Sequence, residues 1–374
     1  MIKTIDECFF QIQNGANIKQ GDVDGGFPIT RIETTVNDKF NRDRMGYAGI
    51  TDISKYESYV LEEGDLLMSH INSVQYLGRT VLYVKEADET IIHGMNLLRL
   101  KARRDVINPA YARYCFYGHS FRSKVGNITK KSVNQASFAV KDLKQIKIEV
   151  PSLSEQDQIV KVLDKLQNLI AMRNDELSAL DELIKARFIE LFGDYINEGG
   201  KPLSELATIT GGLTKNSKRN AFNLKMPYLR VANVFFNRLD LNEILEIGVR
   251  EDEIGKTLLQ TGDLLFVEGN GSIEQIGRVA IWDGSISPIL HQNHLIKARF
   301  HKKTIFPEFA LFYFMSQEGR QQIISKSVST SGLNTLSVNK ISSLILPMPP
   351  IELQKQFAAF VAQTDKSKVA VQKY

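Results

Sequence analysis

Apolar residues along this chain fall into short runs punctuated by glycine, and the runs come twice. Leu66–Met68, Val81–Val84 and Leu97–Leu100 alternate or run continuously, as short strands do. Leu264–Val267, Val279–Trp282 and Leu295–Ala298 repeat them. The register between the copies is 198 residues: it carries Gly64-Asp65-Leu66-Leu67 onto Gly262-Asp263-Leu264-Leu265, His93 onto His291 and Pro109 onto Pro307. The same register carries Arg122 onto Arg320, Pro151 onto Pro349 and Gln156 onto Gln354. Gly78-Arg79 maps onto Gly277-Arg278 at 199, so one residue is inserted between. Self-similarity at a fixed spacing means one structural plan used twice.

In each copy a helix follows the strands, from Pro109 (Tyr111, Tyr114, Phe121, Val125) and from Pro307 (Phe309, Phe312, Ile323). Proline suits the first helical turn because its missing N–H would be unpaired there. A polar loop and one more strand, Ile146–Val150 or Leu344–Pro347, close the copy. The pattern predicts two α/β (α+β) domains, residues 1–150 and 200–348.

Beyond each domain the period changes to four and three. Ser152 with Glu155 has the spacing of a capping box. Ile159, Leu163, Leu166, Ile170, Leu177, Leu180, Ile184 and Leu191 then mark one seam, with Arg173 and Arg187 in it and Gly193 as the stop. Residues 151–199 therefore predict a spacer segment whose helix, about forty residues at about 1.5 Å each, is roughly 60 Å long. Residues 349–374 predict a shorter one, with Leu353, Phe357, Phe360 and Val371 in its seam. By the repeat register, Leu177–Phe192 have no counterpart there, so this half of the first helix is expected to present an apolar seam to another chain, a second copy or a different subunit.

Composition narrows the class. The chain has 374 residues, 43% hydrophobic and 24% charged, with a formal net charge of +4. That mild basicity permits nucleic-acid binding without requiring it. Cys8 and Cys115 lie far apart with no metal-ligand spacing, which predicts a reducing, cytoplasmic setting and no disulfide framework. Asp6 and Glu7 come early and no long apolar core follows, so no secretory leader is expected. No run approaches eighteen apolar residues, so no membrane-spanning helix is expected either.

The order domain, long helix, domain, helix resembles the specificity subunits of type I restriction–modification systems. The resemblance rests on Pro151-Ser152-Leu153-Ser154-Glu155-Gln156-Asp157-Gln158-Ile159, on Asp181-Glu182-Leu183-Ile184-Lys185-Ala186-Arg187-Phe188, and on Pro349-Pro350-Ile351-Glu352-Leu353-Gln354. Gly-Asp-Leu-Leu in both copies and Pro227-Tyr228-Leu229-Arg230 add to it. It covers the whole chain. It implies two target-recognition domains, each reading half of a split DNA site, held by long antiparallel coiled-coil helices about a pseudo-two-fold axis. It further implies docking of two modification subunits that carry S-adenosylmethionine, and of restriction subunits that use ATP and Mg, with no cofactor, metal or catalytic residue on this chain. One departure stands out: the family's second helical region is usually as long as the first, and here it is short, as in a chain shortened naturally or by truncation.

Residue chemistry selects the candidate DNA contacts. Arginine suits guanine edges and Asn or Gln suits adenine edges, each through two parallel hydrogen bonds. Lysines and hydroxyls more often hold phosphate. In the first copy these are Arg31, Ser69, Asn72, Gln75, Arg79, Lys130, Lys131, Ser132, Asn134 and Gln135; in the second, Arg230, Glu268, Asn270, Arg278, Ser329, Ser331 and Asn334.

Other motifs weigh less. Asn108-Pro109-Ala110-Tyr111 imitates an amino-methyltransferase motif, but its repeat partner is Phe306-Pro307-Glu308-Phe309, which keeps only a proline that starts a helix. Gly269-Asn270-Gly271-Ser272 lacks the lysine of a phosphate loop. His291 and His294 lack further ligands nearby in sequence, so hydrogen bonding is expected rather than zinc. The rival classes are a DNA adenine methyltransferase in its own right, and an assembly scaffold or silent cassette whose domains bind no DNA.

Overall fold

The computed structural model describes residues 1–18, 25–132, 135–301, 305–330 and 332–373. They form two compact units, Met1–Ile170 and Ala171–Tyr374.

The first unit is built on a four-stranded antiparallel sheet, in the order Phe9–Asn14, Leu97–Ala102, Leu66–Ser69, Thr80–Leu82. Successive side chains point to opposite faces of a strand, and both faces here are covered. Leu66, Met68, Leu98 and Leu100 join one core with Phe116, Phe121 and Val125. Leu67, Val81 and Leu97 join a second with Leu61, Tyr83 and Ile91. Burial on both sides is why these strands read as near-continuous apolar runs. The second unit repeats the sheet with Ala207–Gly211, Leu295–Phe300, Leu264–Val267 and Val279–Ile281.

The Gly-Asp-Leu-Leu motif has a physical explanation in both units. Gly64 and Gly262 turn with φ of 87° and 91°, where a side chain would be strained. The next residue holds that turn: Asp65 Oδ2 accepts from the Glu62 amide at 2.9 Å, and Asp263 Oδ2 from the Gln260 amide at 2.8 Å. The two leucines then enter the two cores.

A buried cation sits at the same place in each sheet. Arg99 donates to the Val60 carbonyl at 2.8 Å and lies 3.8 Å from Asp65. Its counterpart Lys297 donates to the Lys256 and Leu258 carbonyls at 2.9 and 3.1 Å, and burial pulls its pKa down to about 8. His93 and His291 are buried as well, each with one ring nitrogen on a backbone carbonyl, Leu97 at 2.9 Å and Thr257 at 2.8 Å. Desolvation lowers them to about 3 and about 4, so both are neutral near pH 7.

The helix after each sheet is two helices, not one. Pro109–Tyr117 and His119–Ile128 meet at Gly118, and Pro307–Met315 and Gln317–Lys326 meet at Ser316, both with extended backbone at the break. In the first unit the apolar period runs on through the break, which is why the pattern predicts one element. Asn108 caps its helix, accepting from the Ala110 amide at 2.8 Å and donating to Asp157 at 2.8 Å. The methyltransferase-like tetrapeptide is thus a helix start.

The long helix spans Leu153–Phe192, opens with the expected reciprocal Ser152–Glu155 bonds and stops before Gly193. Gln156 and Gln354 tie the two helices to their domains. Gln156 is buried, accepts from the Asn108 amide at 2.8 Å and donates to the Val106 and Pro151 carbonyls at 3.0 and 2.9 Å. Gln354 accepts from the Phe306 amide at 3.0 Å and donates to the Pro349 carbonyl at 2.9 Å.

Within the second unit, the closing helix Ile351–Gln372 packs antiparallel on the latter part of the long helix. Phe188 meets Phe357 at 5.5 Å between ring centroids, and the Arg187 guanidinium lies 5.9 Å from the Phe360 centroid. Lys368 pairs with Asp181 at 2.7 Å, and Arg173 donates to the Val371 carbonyl at 3.0 Å. This corrects the expectation for Leu177–Leu191: Ile184 is buried, Leu177, Leu180 and Leu191 are half-buried, and the half-helix expected to be open is the one the closing helix covers.

The open half is the other one. The repeat register carries Phe357, Val361, Thr364 and Lys368 onto Ile159, Leu163, Leu166 and Ile170. In the closing helix Phe357, Val361 and Thr364 are buried and Lys368 is half-buried. In the long helix Ile159, Leu166 and Ile170 remain 38%, 49% and 61% exposed, and Leu163 is half-buried. Their domain packs on a different side, through Tyr114 to Asp164 at 2.5 Å and Arg113 to Gln167 at 2.9 Å. Leu353 is half-buried, and Phe360 packs against the second unit's core. Among the described residues no helix is long and apolar enough to cross a membrane.

Candidate nucleic-acid interface

Beside each main sheet stands a small three-stranded ribbon that joins segments far apart in sequence. In the first unit Ala136–Ser137 is the centre strand, flanked by Ile71–Asn72 and Lys130–Lys131; Ala136 faces both Asn72 and Lys131. In the second, Leu333–Thr335 lies between Gly269–Asn270 and Val328–Thr330, and Asn334 faces both Asn270 and Ser329. The two polar segments of each copy thus converge on one surface.

The candidates differ in what they offer there. Lys130, Lys131, Ser132, Gln135, Gln75 and Ser329 are exposed. Asn72, Arg79, Glu268, Asn270 and Arg278 are half-buried. Ser69 and Asn334 are buried and serve local structure: Asn72 donates to Ser69 Oγ at 3.3 Å, and Asn334 donates to the Asn270 and Gly271 carbonyls, each at 3.3 Å. Glu268 holds His294 Nδ1 at 2.7 Å, and Asn270 Oδ1 accepts from the Ser272 amide at 2.9 Å. Arg31 and Arg230 occupy equivalent places. The amide of each is held by the residue three further on, Thr34 Oγ1 or Asn233 Oδ1 at 2.8 Å, and Arg230 is paired with Glu243 at 2.6 Å. The Arg31 guanidinium packs against Gly46. Asn134 and Ser331 lie outside the described residues.

A buttress supports the surface in both copies. Arg122 donates to the Leu77 carbonyl at 2.9 Å, and Arg320 to the Ile276 carbonyl at 2.7 Å. Each thereby pins the short helical turn, Val74–Tyr76 or Ile273–Gln275, that precedes the Gly-Arg pair. The Arg122–Arg320 match along the sequence is explained by this positioning role.

In the first unit Arg79 lines a cleft of about 320 Å³ together with Thr35, Asn37, Ser69, Asn72 and Tyr76. Its guanidinium lies 4.4 Å from the Tyr76 ring centroid, and its Nε is 3.8 Å from Asp38 Oδ1. Arg278 lies 5.0 Å from the Phe235 centroid, and its Nη2 donates to the Val231 carbonyl at 3.3 Å. Tyr76, Asn37, Asp38 and Phe235 were not singled out by the sequence. Only Tyr76 has a signal there, its place just before the repeated Gly-Arg pair; Asn37, Asp38 and Phe235 are remote from that pair in sequence. Among the described residues no group of three or more His, Cys, Asp or Glu could hold a metal, and both cysteines are free thiols pushed up to about 11 by burial.

Comparison with known proteins agrees with this architecture. The family model of the type I restriction modification DNA specificity domain matches residues 3–182 and again 200–373. A putative type I restriction enzyme MjaX specificity subunit of Methanocaldococcus jannaschii is 35% identical over 194 residues, covering 51% of this chain and 45% of the relative. The EcoKI specificity subunit of Escherichia coli K12 is 27% identical over 268 residues, covering 65% and 55%. The chain thus spans about half the length of these curated relatives. The crystal structure of the type I restriction-modification S subunit from M. genitalium shares the fold at a TM-score of 0.58 and 14% identity, over all of this chain and 91% of that one. With two matches that together take in nearly the whole sequence, the chain belongs to the type I restriction modification DNA specificity family.

Proposed function

We propose that this chain is the sequence-reading subunit of a cytoplasmic type I restriction–modification complex. Each unit reads one half of a split DNA site, and the chain itself performs no catalysis. The observation that carries this is the polar ribbon built beside the same sheet in both units, at the same repeat positions, with different side chains on each except for the shared Asn72 and Asn270. Equivalent placement suits two similar engagements of one duplex; different residues suit two different half-sites. Modification subunits bearing S-adenosylmethionine dock on the helices, where Ile159, Leu166 and Ile170 leave an apolar stripe open, and restriction subunits that use ATP and Mg join that core.

Duplex binding by the complex of this chain with its modification subunits tests the proposal, measured as affinity against salt. Lys130 and Lys131 are exposed on the edge of the first ribbon, where they reach phosphate. Replacing both by alanine should weaken binding to every sequence and flatten the logarithmic salt slope by up to about two units. An unchanged slope removes the two lysines from the footprint. A parent complex that retards no duplex at any salt contradicts the proposal as a whole.

A further inference from the structure

The cleft around Arg79 carries more than a general DNA contact. Arg79 and Arg278 hold the same repeat position, yet only Arg278 is tied to the backbone, through Val231. Among the described residues neither terminal nitrogen of Arg79 makes a hydrogen bond, and its only ion pair, at 3.8 Å, is from Nε to Asp38. The Tyr76 ring at 4.4 Å fixes the plane of the guanidinium. An arginine so restrained keeps its two terminal nitrogens for something outside and loses little freedom on engaging it.

The opposite wall is unusual. Asn37 and Asp38 both have φ of 59°, two successive non-glycine residues in the left-handed region. Such backbone costs free energy and tends to persist at sites that use it. It places Asp38 against Arg79 and leaves the exposed Asn37 lining the same cleft. Asn72 and Ser69 close the third side. Lys130 and Lys131, at the far edge of the adjoining ribbon, are separate point charges better suited to phosphate.

We infer that Arg79 and Asn37 are specificity-determining residues of the half-site read by the first unit. Arg79 takes the major-groove edge of a guanine, Asn37 addresses a neighbouring base, and Tyr76 and Asp38 are positioning residues that hold the guanidinium. This rests on the DNA-reading function proposed above and adds to it which base chemistry the first unit selects. Among its described residues the second unit does not repeat this arrangement. The residue in register with Tyr76 is Gln275, the ring under its arginine comes from Phe235, and that arginine already donates to Val231. A guanine preference at this position is therefore expected in one half-site only.

The test is selection of duplexes from a library randomised in both halves, using the complex of the full chain with its modification subunits. Arg79→Lys keeps the charge and loses the paired donors. It should cut the preference for guanine at one position of one half-site roughly tenfold, with the other half-site unchanged. Arg79→Ala should do the same and also weaken overall binding. Tyr76→Leu should relax the same position partially, with the base preferences of the other half-site unchanged. If Arg79→Lys leaves the selected sequences unchanged while Arg79→Ala weakens all of them alike, Arg79 is a phosphate contact and the inference is overturned. A parent complex that selects no split site at all would sink the underlying function instead, so the two failures are distinguishable.

Discussion

A chain carrying Leu166→Glu together with Ile170→Lys is expected to fold as the parent does and to lose its hold on the modification subunits. Both positions are largely exposed, at 49% and 61%, so little packing is removed from the chain itself. Glutamate four residues before lysine on a helix is neutral to mildly favourable, by about 0.2–0.5 kcal/mol. In an interface the same pair would bury two charges where apolar side chains had met. Leaving such groups imperfectly paired costs about 2–5 kcal/mol, or a loss of roughly thirty- to several-thousand-fold in affinity. Sedimentation of mixtures of chain and modification subunits, beside a thermal melt of the chain alone, checks both halves. An unchanged melt with an unchanged complex would show that the open stripe is not the docking seam.

The second large effect lies at the other end of that helix. Phe188→Ala should destabilise the second unit by about 3–5 kcal/mol, the cost of emptying a buried aromatic site. Phe188 touches Phe192 at 5.1 Å, Phe309 at 5.9 Å, Phe312 at 6.3 Å and Phe357 at 5.5 Å, so one ring joins the long helix, a domain helix and the closing helix. Denaturant unfolding followed by far-ultraviolet dichroism reports the loss. A change below about 1 kcal/mol would mean that this cluster collapses around the gap and does not hold the helix pair together.

The two ends of this helix also mark what the sequence made legible. Heptad spacing located both helices, and the capping pair at Ser152 and Glu155 located the start of the long one. The repeat register matched Gln156 with Gln354 and Arg122 with Arg320, pairs that the structure shows in equivalent contacts, while His93 and His291 are both buried but meet different carbonyls. Periodicity alone did not say which half of the long helix is covered. Leu166 and Ile184 are both seam residues by spacing, and only the antiparallel packing of the closing helix buries the second and leaves the first open. The ribbon beside each sheet escaped for a related reason. Its strands are two or three residues long, too short for any alternation to show, and are paired across some sixty residues of sequence.

Residue type proved a weaker guide to the surface than position. Ser69 and Asn334 have the right chemistry for DNA and are buried in local hydrogen bonds. Tyr76 and Asp38 have ordinary chemistry for a loop and lie against the guanidinium of Arg79. Such pairings are formed by backbone turns, here with left-handed residues at Asn37 and Asp38, and no spacing rule encodes them.

The central claim is that two copies of one plan read two separate stretches of DNA. Sequencing the methylated positions in cells that hold this chain and its modification subunits measures that most directly. The expected result is one split motif, two unlike specific blocks separated by a fixed run of unread bases, present only when this chain is present. A single uninterrupted motif, or methylation that does not change when the chain is removed, would contradict it.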